Sequence, residues 1–403
     1  EISESGAITV SELLAQRAGV STSVNVDGGA IFNMLGLDSR YILILKNGQP
    51  VTGRFNNRVD LNQMSVNSIK KIEIIKGPGS AIYGTDAMGG VINIITKEPS
   101  ESLEMDLTYR ASSFGSTPKE VSNEPINSIL KSRISMPIKN LRLSSDLTYQ
   151  KFSRGQQFEY ISADQIDKIN FNTDLSWGTF KHQLGIGLQY FNQADEGATR
   201  LSSGITLFTN TTIINRNQLT LNHSWKIKDN TSIRQTLRKA GYKRAYKVKN
   251  ASEVLETNDI TEENNTEYEL LFKHDHNNIK INGGFELSNP QYKSDRITGG
   301  KQKKDITGVF NQVTFGLLDS FDLVAGLRLD KYGDTTVVSP RLAISYKPNQ
   351  TWTFRTAYGN GFRAPSFMES LIDWEHVQFG YSVKGNPDLK PEVSRGITIG
   401  AEY

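Results

Sequence analysis

Residues 70–97 read KKIEIIKGPGSAIYGTDAMGGVINIITK, and this stretch decides the fold prediction for the whole chain. Two runs rich in isoleucine and valine, 72–75 and 91–95, flank a segment that contains five glycines. Such apolar runs are typical of buried strands in a small sheet. Glycine loses more backbone entropy on folding than any other residue, so a cluster of glycines indicates positive φ angles or close backbone contacts. The stretch predicts a strand, a glycine-rich turn, a short helix or turn, and a second strand.

The turn Gly77-Pro78-Gly79 has the composition of a phosphate-binding loop. The third glycine of a dinucleotide-binding fingerprint is missing, however, because position 82 is isoleucine. The chain has 403 residues and a formal net charge of only +3, which gives no argument for a nucleic-acid partner. We therefore expect neither nucleotide nor nucleic-acid binding.

The stretch closely resembles the plug-domain signature of the TonB-dependent outer-membrane receptors, a family that holds an N-terminal globular plug inside a large β-barrel. The resemblance is long and ungapped. It is carried by Glu73, Gly77, Tyr83, Gly84, Ala87, Gly89, Gly90 and the run Val91-Ile92-Asn93-Ile94-Ile95-Thr96-Lys97. It implies that these residues belong to the plug.

Residues 1–98 are predicted to form a small mixed α/β domain with its own core. Thr9 and Glu12 have the spacing of a capping box at the start of a short helix. The apolar run 41–45 predicts a buried strand. Asn47-Gly48 follows directly and predicts a two-residue hairpin turn.

From about residue 103 onward, apolar and polar residues alternate with period two. The pattern is clear in the segments 141–149, 184–190, 321–329, 352–358 and 397–403. Several runs reach about ten residues, the length of a tilted membrane strand. Aromatic residues that would mark the membrane interfaces are Tyr149, Tyr190, Trp225, Tyr346 and Tyr403. The fold class predicted for residues 101–403 is an antiparallel transmembrane β-barrel.

The expected number of barrel strands is about fourteen, against about 22 in plugged outer-membrane transporters. We therefore expect a barrel that is incomplete in this chain, and a chain that is truncated at both ends. The connections between the strands alternate in length. The short ones are 137–140, 177–179, 228–230, 275–278, 317–320 and 347–350, and the long polar ones are 113–126, 152–167, 192–212, 246–262, 289–304 and 360–391. Short turns at one end and long loops at the other are typical of bacterial outer-membrane barrels, and soluble sandwiches rarely show them.

The resemblance continues in the barrel. Phe362-Arg363-Ala364-Pro365 and Asn386-Pro387-Asp388-Leu389-Lys390-Pro391-Glu392 resemble two short boxes of the family. Many members have an Arg-Gly pair in the plug where this chain has Leu35-Gly36, so a salt bridge from that arginine to the barrel cannot be carried over. The TonB box, an extended segment before the plug, is expected to precede Glu1.

No catalytic set stands out. The chain has no cysteine and no GxSxG motif, and no run approaches about 18 apolar residues. His274-Asp275-His276 has the composition of a metal site, but nothing nearby adds ligands, and a solvated turn is the better interpretation. We expect no enzyme activity, no transmembrane helix, no metal site of this kind and no resident cofactor.

Candidate ligand-binding residues lie in two connections. Arg54, Phe55 and Arg58 cluster in the plug loop 53–58, where arginines beside an aromatic ring suit an anionic planar ligand. A solvated turn is an equally good interpretation of this loop. In the connection 360–391, the flat apolar side chains are Trp374, Phe379 and Tyr381.

His376 lies between the two barrel boxes, where haem receptors of this family carry a histidine ligand to iron. A neutral imidazole can bind haem iron, so His376 is a candidate ligand. A solvated loop histidine is the alternative interpretation. Residues 1–98 contain no histidine that could serve as the second axial ligand.

The resemblance implies a TonB-dependent receptor of the cell outer membrane. Such a receptor binds an extracellular metal chelate, here expected to be an iron complex such as a siderophore or haem, and imports it into the periplasm with energy transmitted by TonB. The implied partners are TonB, outer-membrane lipid and the small chelate. A cobalamin receptor of the same family, a passive porin or structural barrel, and a soluble binding module are the alternatives, and a porin would lack the plug signature.

Overall fold

The structure is a computed structural model of the chain. It describes residues 5–17, 19–24, 30–34, 36–55, 57–112, 127–153, 165–201, 203–318, 320–376 and 381–403. Within these residues, no helix has the length and apolar character needed to cross a membrane. A small mixed part, called the plug here, extends to residue 97, and a large antiparallel sheet follows it.

The plug contains short helices and two small sheets. The helices are α1 (Val10–Ala15) and α2 (Ser80–Tyr83), with 3-10 turns at Ser39–Tyr41 and Leu61–Gln63. The strands are β1 (Val20–Val24), β2 (Ala30–Met34), β3 (Leu37–Asp38), β4 (Ile42–Lys46), β5 (Gln49–Pro50), β6 (Ile69–Lys76) and β7 (Gly90–Thr96). Strands β1, β2 and β3 form one sheet, and the other has the order β5-β4-β7-β6.

The signature stretch folds as β6, α2 and β7, which confirms the predicted order of elements. β7 is a central strand that runs parallel to β4 and antiparallel to β6, and its residues 90–94 are buried. β6 is an edge strand and only half-buried, with Lys70 and Lys71 exposed. The expectation of two buried strands therefore holds for β7 alone, because a sheet edge has a neighbour on one side only.

Two local predictions for the plug are confirmed. Asn47 and Gly48 form the tight turn between β4 and β5 with φ angles of 53° and 82°. The Thr9 hydroxyl accepts the N–H of Glu12 at 3.3 Å, and the Glu12 carboxylate accepts the N–H of Ile8 at 2.9 Å. The first bond satisfies an N–H group that a helix start leaves without a partner, and Glu12 reaches back as predicted, but to Ile8 and not to the N-cap Thr9.

The second part is a sheet of long strands. They are β8 (Glu104–Ser112), β9 (Asn127–Ile138), β10 (Leu141–Ser153), β11 (Gln165–Gly178), β12 (His182–Arg200), β13 (Thr206–Lys228), β14 (Thr231–Asn250), β15 (Leu255–His276), β16 (Ile279–Ser294), β17 (Lys301–Lys303), β18 (Ile306–Leu318), β19 (Phe321–Tyr332), β20 (Thr335–Tyr346), β21 (Thr353–Arg363) and β24 (Glu392–Glu402). The segment before β24 contains α3 (Phe367–Leu371) and a hairpin of β22 (Asp373–His376) and β23 (Tyr381–Lys384).

Fourteen strands follow one another in a single antiparallel path. The sheet has 15 strands among the described residues, and without β17, which pairs only with β16, 14 remain. This number agrees with the sequence-based count. The path is open, with β8 at one edge and β24 at the other.

The sheet curves around the plug, as predicted. Three plug residues show this, because Asn67 bonds to β9, Thr52 bonds to β13 and Ser80 bonds to β21. Strands near both edges of the path and in its middle thus contact one small body. Residues 70–97 lie within this curve, where α2 contacts β18, β19, β20 and β21.

The connections 192–212 and 246–262 were predicted as long loops, and this prediction is wrong. Strands β12 to β15 are 19, 23, 20 and 22 residues long, so only 201–205 and 251–254 remain between them. The polar residues at these positions continue the strands. Backbone hydrogen bonds between neighbouring strands do not need an apolar side chain where both faces of the sheet are in water. The predicted loop 113–126 lies outside the described residues.

The two ends of the sheet differ as predicted. Tight turns such as 139–140 and 277–278 join consecutive strands at one end, called the short-turn end. The extended β12–β13 and β14–β15 hairpins and the segment 364–391 lie at the opposite end, called the long-hairpin end. The opposition follows from the antiparallel order, because successive connections must alternate between ends.

The outward face of the sheet is apolar, and the inward face is polar. Leu184, Ile186 and Leu188 on β12 are 42%, 44% and 48% exposed, whereas inward arginines on other strands, such as Arg238, are buried. The exposed Trp225 pairs with the first residue of β12, and the exposed Tyr190 lies eight residues further along that strand. Eight residues span about 26 Å, close to the roughly 25 Å apolar band of an outer-membrane barrel.

Candidate ligand site between the plug and the sheet

A cavity of about 280 Å³ lies between the plug and the inner face of the sheet, toward the long-hairpin end. Two plug loops, around Phe55 and Thr85, form its floor. Inward residues of β14, β15, β16 and β19, together with the segment after β21, form its wall. Of the residues predicted to bind a ligand, Arg54 and Phe55 line this cavity.

Residues 53–55 of the plug loop are packed against the wall, so the interpretation of this loop as a solvated turn is wrong. The N–H groups of Gly53 and Arg54 donate to the Glu263 carboxylate at 3.2 and 3.3 Å. The Phe55 ring lies under the Arg244 guanidinium, 4.0 Å from its central carbon. Side chains of the sheet, Glu263 and Arg244, thus hold the loop in place. No local sequence pattern predicts these contacts.

Arg54 and Arg58 both have carboxylate partners inside the plug. Arg54 pairs with Asp86 at 2.8 Å. Arg58 donates two bonds to Asp38, at 3.1 and 2.7 Å, and these bonds hold the pKa of the Asp38 carboxyl below its ordinary value. Arg58 is not among the residues that line the cavity, so we assign it a role in holding the plug loop.

The hairpin β22–β23 touches the site through Arg296, which lines the cavity. Trp374 packs against Arg296, with 4.4 Å between the guanidinium carbon and the ring centre, and Tyr381 meets Trp374 edge to face at 6.4 Å. The backbone of His376 pairs with Tyr381, and the structure does not describe the His376 side chain. Phe379 lies outside the described residues.

The signature glycines lie where the plug approaches other groups closely. A Cβ on Gly84 would come within 2.9 Å of Arg328, and one on Gly77 within 2.5 Å of Thr398, so both glycines allow contact with the sheet. Gly89 and Gly90 meet the plug's own residues. Three other signature residues pack within the plug, and one of them, Tyr83, also lines the cavity. Asn93 joins β7 to the Glu73 carboxylate, and Tyr83 packs beside the buried core of the β4–β7 pair.

The first barrel box, residues 362–365, forms hydrogen bonds with the plug. The N–H of Phe362 donates to the Ser80 hydroxyl at 3.1 Å, and the N–H of Ala364 donates to the Thr85 hydroxyl at 2.9 Å. Arg363 binds Glu369 and also Glu392, the last residue of the second box. The two boxes therefore meet through one guanidinium.

Sequence reasoning missed the wall of the cavity. The important residues there are Arg244, Asp259, Tyr292 and Arg296. Arg244 and Asp259 occupy inward positions of β14 and β15, so the period-two pattern could have marked them as facing the plug. Their mutual proximity depends on register, which alternation does not reveal.

Two family profiles match the chain. The profile described as "TonB-dependent Receptor Plug Domain" matches residues 1–91, and the one described as "TonB dependent receptor-like, beta-barrel" matches residues 144–403. The chain belongs to the TonB-dependent receptor family. This family consists of receptors and transporters, and among the described residues no group of three or more His, Cys, Asp or Glu residues is placed to hold a metal ion.

This TonB-dependent receptor is similar to several known members. An iron-regulated outer membrane virulence protein of Vibrio cholerae is 26% identical over 402 residues, which covers 92% of this chain and 57% of that protein. The probable TonB-dependent siderophore receptor PirA of Acinetobacter baumannii is 23% identical, with 98% of this chain and 61% of that protein covered. This chain therefore spans about three-fifths of the length of these relatives.

Solved structures agree with the fold. The crystal structure of the siderophore receptor PirA from Acinetobacter baumannii has a TM-score of 0.75 at 19% identity, with 98% of this chain and 66% of that chain covered. The ferric enterobactin receptor PfeA from Pseudomonas aeruginosa, as a mutant in complex with enterobactin, has a TM-score of 0.77 at 17% identity, with 98% and 67% covered. At these identities the likeness establishes the fold.

Proposed function

We propose that this receptor lies in the outer membrane, binds an iron chelate at its long-hairpin end, and passes the chelate to the periplasm with energy supplied through TonB. In this proposal, residues 1–98 act as the plug and residues 101–403 belong to the barrel. The observation that supports it most is the cavity between the plug loop and the wall, where guanidinium groups lie beside aromatic rings.

The chemistry of the cavity suits a ferric siderophore or haem. Ferric siderophores and haem carry anionic oxygens, which guanidinium groups bind with charge-assisted hydrogen bonds. They also present flat or apolar surface, which aromatic rings can cover. Tyr292 and Phe367 stack at 5.7 Å beside the cavity, and Phe55 lies on its plug side. Phe55 on the plug and Trp374 beside Arg296 remain proposed ligand residues, whereas Arg54 lines the cavity but is paired with Asp86.

Named relatives support an iron ligand. The Vibrio cholerae relative is described as iron-regulated, and PirA and PfeA are described as siderophore and ferric enterobactin receptors. The second candidate ligand is cobalamin, because the vitamin B12 transporter BtuB of Vibrio cholerae is 34% identical over 103 residues, or 25% of this chain. The Arg244 guanidinium, which lies over the Phe55 ring in the cavity, favours the iron chelate, since an anionic ligand with a planar group can use both.

The plug is held in the sheet by separate hydrogen bonds that can break one after another. Arg216, Arg238 and Arg328 on the sheet donate to the plug carbonyls of Thr52, Pro50 and Ile82. Hydrogen bonds from charged groups contribute about 1.5–3 kcal/mol each, so the plug is held by several separate contacts of moderate strength. We propose that a pull from TonB on the plug breaks them stepwise while the barrel, whose backbone groups are paired in lipid, stays intact.

Binding titrations with three ligand classes test the iron assignment. We expect the purified receptor in detergent to bind a ferric tris-catecholate or haem at least about 100-fold more tightly than cyanocobalamin, or about 2.7 kcal/mol. If haem is the ligand, His376→Ala should weaken haem binding strongly and leave siderophore binding nearly unchanged. Tight cobalamin binding without affinity for any iron chelate would show that the ligand class is wrong while the receptor class stands.

Labelling on intact cells tests the proposed orientation. These 403 residues contain no cysteine, so a cysteine introduced at one of these turns is the single reactive thiol of this part of the receptor. We expect Glu253→Cys in the β14–β15 turn to react with a membrane-impermeant maleimide, and Asn277→Cys in the β15–β16 turn to react only after the cells are opened. The two sites are matched, because both are turn residues with positive φ, 61° and 49°. Labelling of position 277 from outside would refute the orientation.

A further inference from the structure

The cavity wall has balanced charge, which raises the question of how it accepts an anion. Six arginines and six carboxylates line it among the described residues, so the lining has no net formal charge. The arginines are Arg54, Arg238, Arg244, Arg296, Arg328 and Arg363. If an anionic ligand took an arginine away from its carboxylate partner, that carboxylate would stay buried without a counter-charge. The ligand therefore needs an arginine that is not already paired with a carboxylate.

Five of these arginines are committed to carboxylates at hydrogen-bond distance. The pairs are Arg54–Asp86 at 2.8 Å, Arg238–Glu267 at 2.5 Å, Arg296–Asp259 at 3.0 Å, Arg328–Asp330 at 2.8 Å and Arg363–Glu369 at 2.8 Å. Taking any of these guanidinium groups away would leave a carboxylate without its counter-charge, and that is strongly unfavourable in a buried site.

Arg244 is the exception among the described arginines of the wall. Its closest carboxylate oxygen is Oδ2 of Asp259 at 3.8 Å, which is beyond hydrogen-bond distance. The guanidinium is held instead by rings, with Phe55 at 4.0 Å and Tyr246 at 5.2 Å. Arg244 is 8% exposed and lines the cavity. Aromatic faces orient a guanidinium group but leave its N–H donors available, because these donors lie in the plane of the guanidinium itself.

Asp259 lies between Arg244 and Arg296 and shares one oxygen, Oδ2, with both. Its other oxygen, Oδ1, is buried and has no hydrogen-bond partner in the part of the chain that the structure describes. Two cations thus share one incompletely bonded carboxylate, 8% exposed, at the cavity wall. If an anion approaches Arg244, Asp259 still keeps Arg296 at 3.0 Å, and no charge is left unpaired.

We propose that Arg244 is the residue that receives an anionic oxygen of the ligand, and that Asp259 sets the strength and selectivity of this contact. The proposal rests on the proposed function and narrows its ligand to chelates with at least one anionic oxygen on or beside a planar group. The planar group would contact Phe55, which places the ligand's charge directly against the plug loop. Asp259 competes with the ligand for Arg244, because its carboxylate already attracts the positive charge of this guanidinium.

The experiment compares a charged and an uncharged chelate. A ferric tris-catecholate carries negative charge, whereas a ferric trihydroxamate is neutral, and both are titrated against the purified receptor in detergent. Arg244→Gln should weaken binding of the tris-catecholate at least about tenfold, equal to 1.4 kcal/mol, and change trihydroxamate binding less than about threefold. Asp259→Asn should strengthen tris-catecholate binding, since Arg296 then also becomes available.

Matched controls separate this site from general effects of charge and folding. Arg234→Gln removes an inward arginine from the same strand, at a different cavity beside Gly48. Glu262→Gln removes a carboxylate from the same strand as Asp259, one that pairs with Lys243 instead. Both controls should leave the preference for the charged chelate unchanged. Arg244→Lys, which keeps the charge but loses the planar fork, should give intermediate binding.

The outcomes distinguish this inference from the proposed function. If the receptor binds no ferric chelate, the proposed function fails, and this inference fails with it. If the receptor binds the tris-catecholate, but Arg244→Gln behaves like Arg234→Gln and Asp259→Asn like Glu262→Gln, the assignment of Arg244 and Asp259 is wrong and the proposed function stands. If Arg244→Gln does not fold, a lack of strengthening in Asp259→Asn still overturns the inference.

Discussion

Gly90→Ala is expected to prevent the plug from folding normally. Gly90 has a φ angle of +150°, which L-residues rarely adopt. A Cβ there would lie 2.4 Å from the backbone oxygen of Ile75 and 2.3 Å from the terminal carbon of Met34. Overpacking and backbone strain together should cost about 4 kcal/mol. Amide hydrogen exchange of β6 and β7 in the detergent-solubilised receptor measures the effect, and we expect loss of protection in both strands.

Gly48→Ala is the matched control for this prediction. Gly48 also has a positive φ, +82°, but an added Cβ would meet nothing within 4 Å. Only the conformational cost remains, about 1–2 kcal/mol. The difference between the two variants isolates the steric clash inside the signature. Equal loss of protection would mean that the close approach of β6 to Gly90 does not matter for stability.

Arg328→Met is expected to destabilise the contact between the plug and the sheet. The Arg328 guanidinium is buried and donates to Asp330, to Glu286 at 2.9 Å and to the plug carbonyl of Ile82 at 3.0 Å. Methionine fills similar volume but leaves both carboxylates without their cation, at a cost of about 3–5 kcal/mol. Thermal unfolding in detergent should show the loss, and protease should cut the plug more readily.

Two comparison variants show whether the buried charge is the cause. Arg355→Met removes an exposed arginine from the same sheet, whose pair with Glu402 is solvated, and should cost less than about 1 kcal/mol. The triple variant Arg328→Met, Glu286→Gln, Asp330→Asn removes both orphaned charges and should recover part of the stability. A triple variant as unstable as Arg328→Met alone would show that the hydrogen bond to Ile82 is the larger contribution.

The contact between plug and sheet differs from the salt bridge that many family members are expected to form. That bridge needs an arginine on the plug, and this chain has Leu35-Gly36 at the corresponding place. In this chain, several arginines on the sheet donate to plug carbonyls, as Arg341 does to Pro78 at 3.1 Å. Backbone carbonyls are present whatever the side chain, so these bonds tolerate changes in the plug sequence, unlike the contacts that need the hydroxyls of Ser80 and Thr85.

The sequence alone determined the local secondary structure and the order of its elements. The glycine-rich stretch predicted β6, α2 and β7, the pair Asn47-Gly48 predicted its hairpin, and period-two alternation predicted a sheet of about fourteen strands. These features depend on neighbouring residues, since backbone conformation and the alternation of side chains are local properties. The family could be named from the same stretch for the same reason.

Only the tertiary structure decided the partners of the charged residues. Arg54 and Arg58 look alike in sequence, yet Arg54 lines the cavity and Arg58 is bound to Asp38. The long strands β12 to β15 also escaped prediction, because strand length outside the apolar band depends on pairing with a neighbour. Arg244 and Asp259 meet through the register of two strands, and a shift of one residue would turn either to the opposite face. Contacts between residues far apart in the chain leave no trace in local spacing, so the ligand site emerged only once the sheet was folded around the plug.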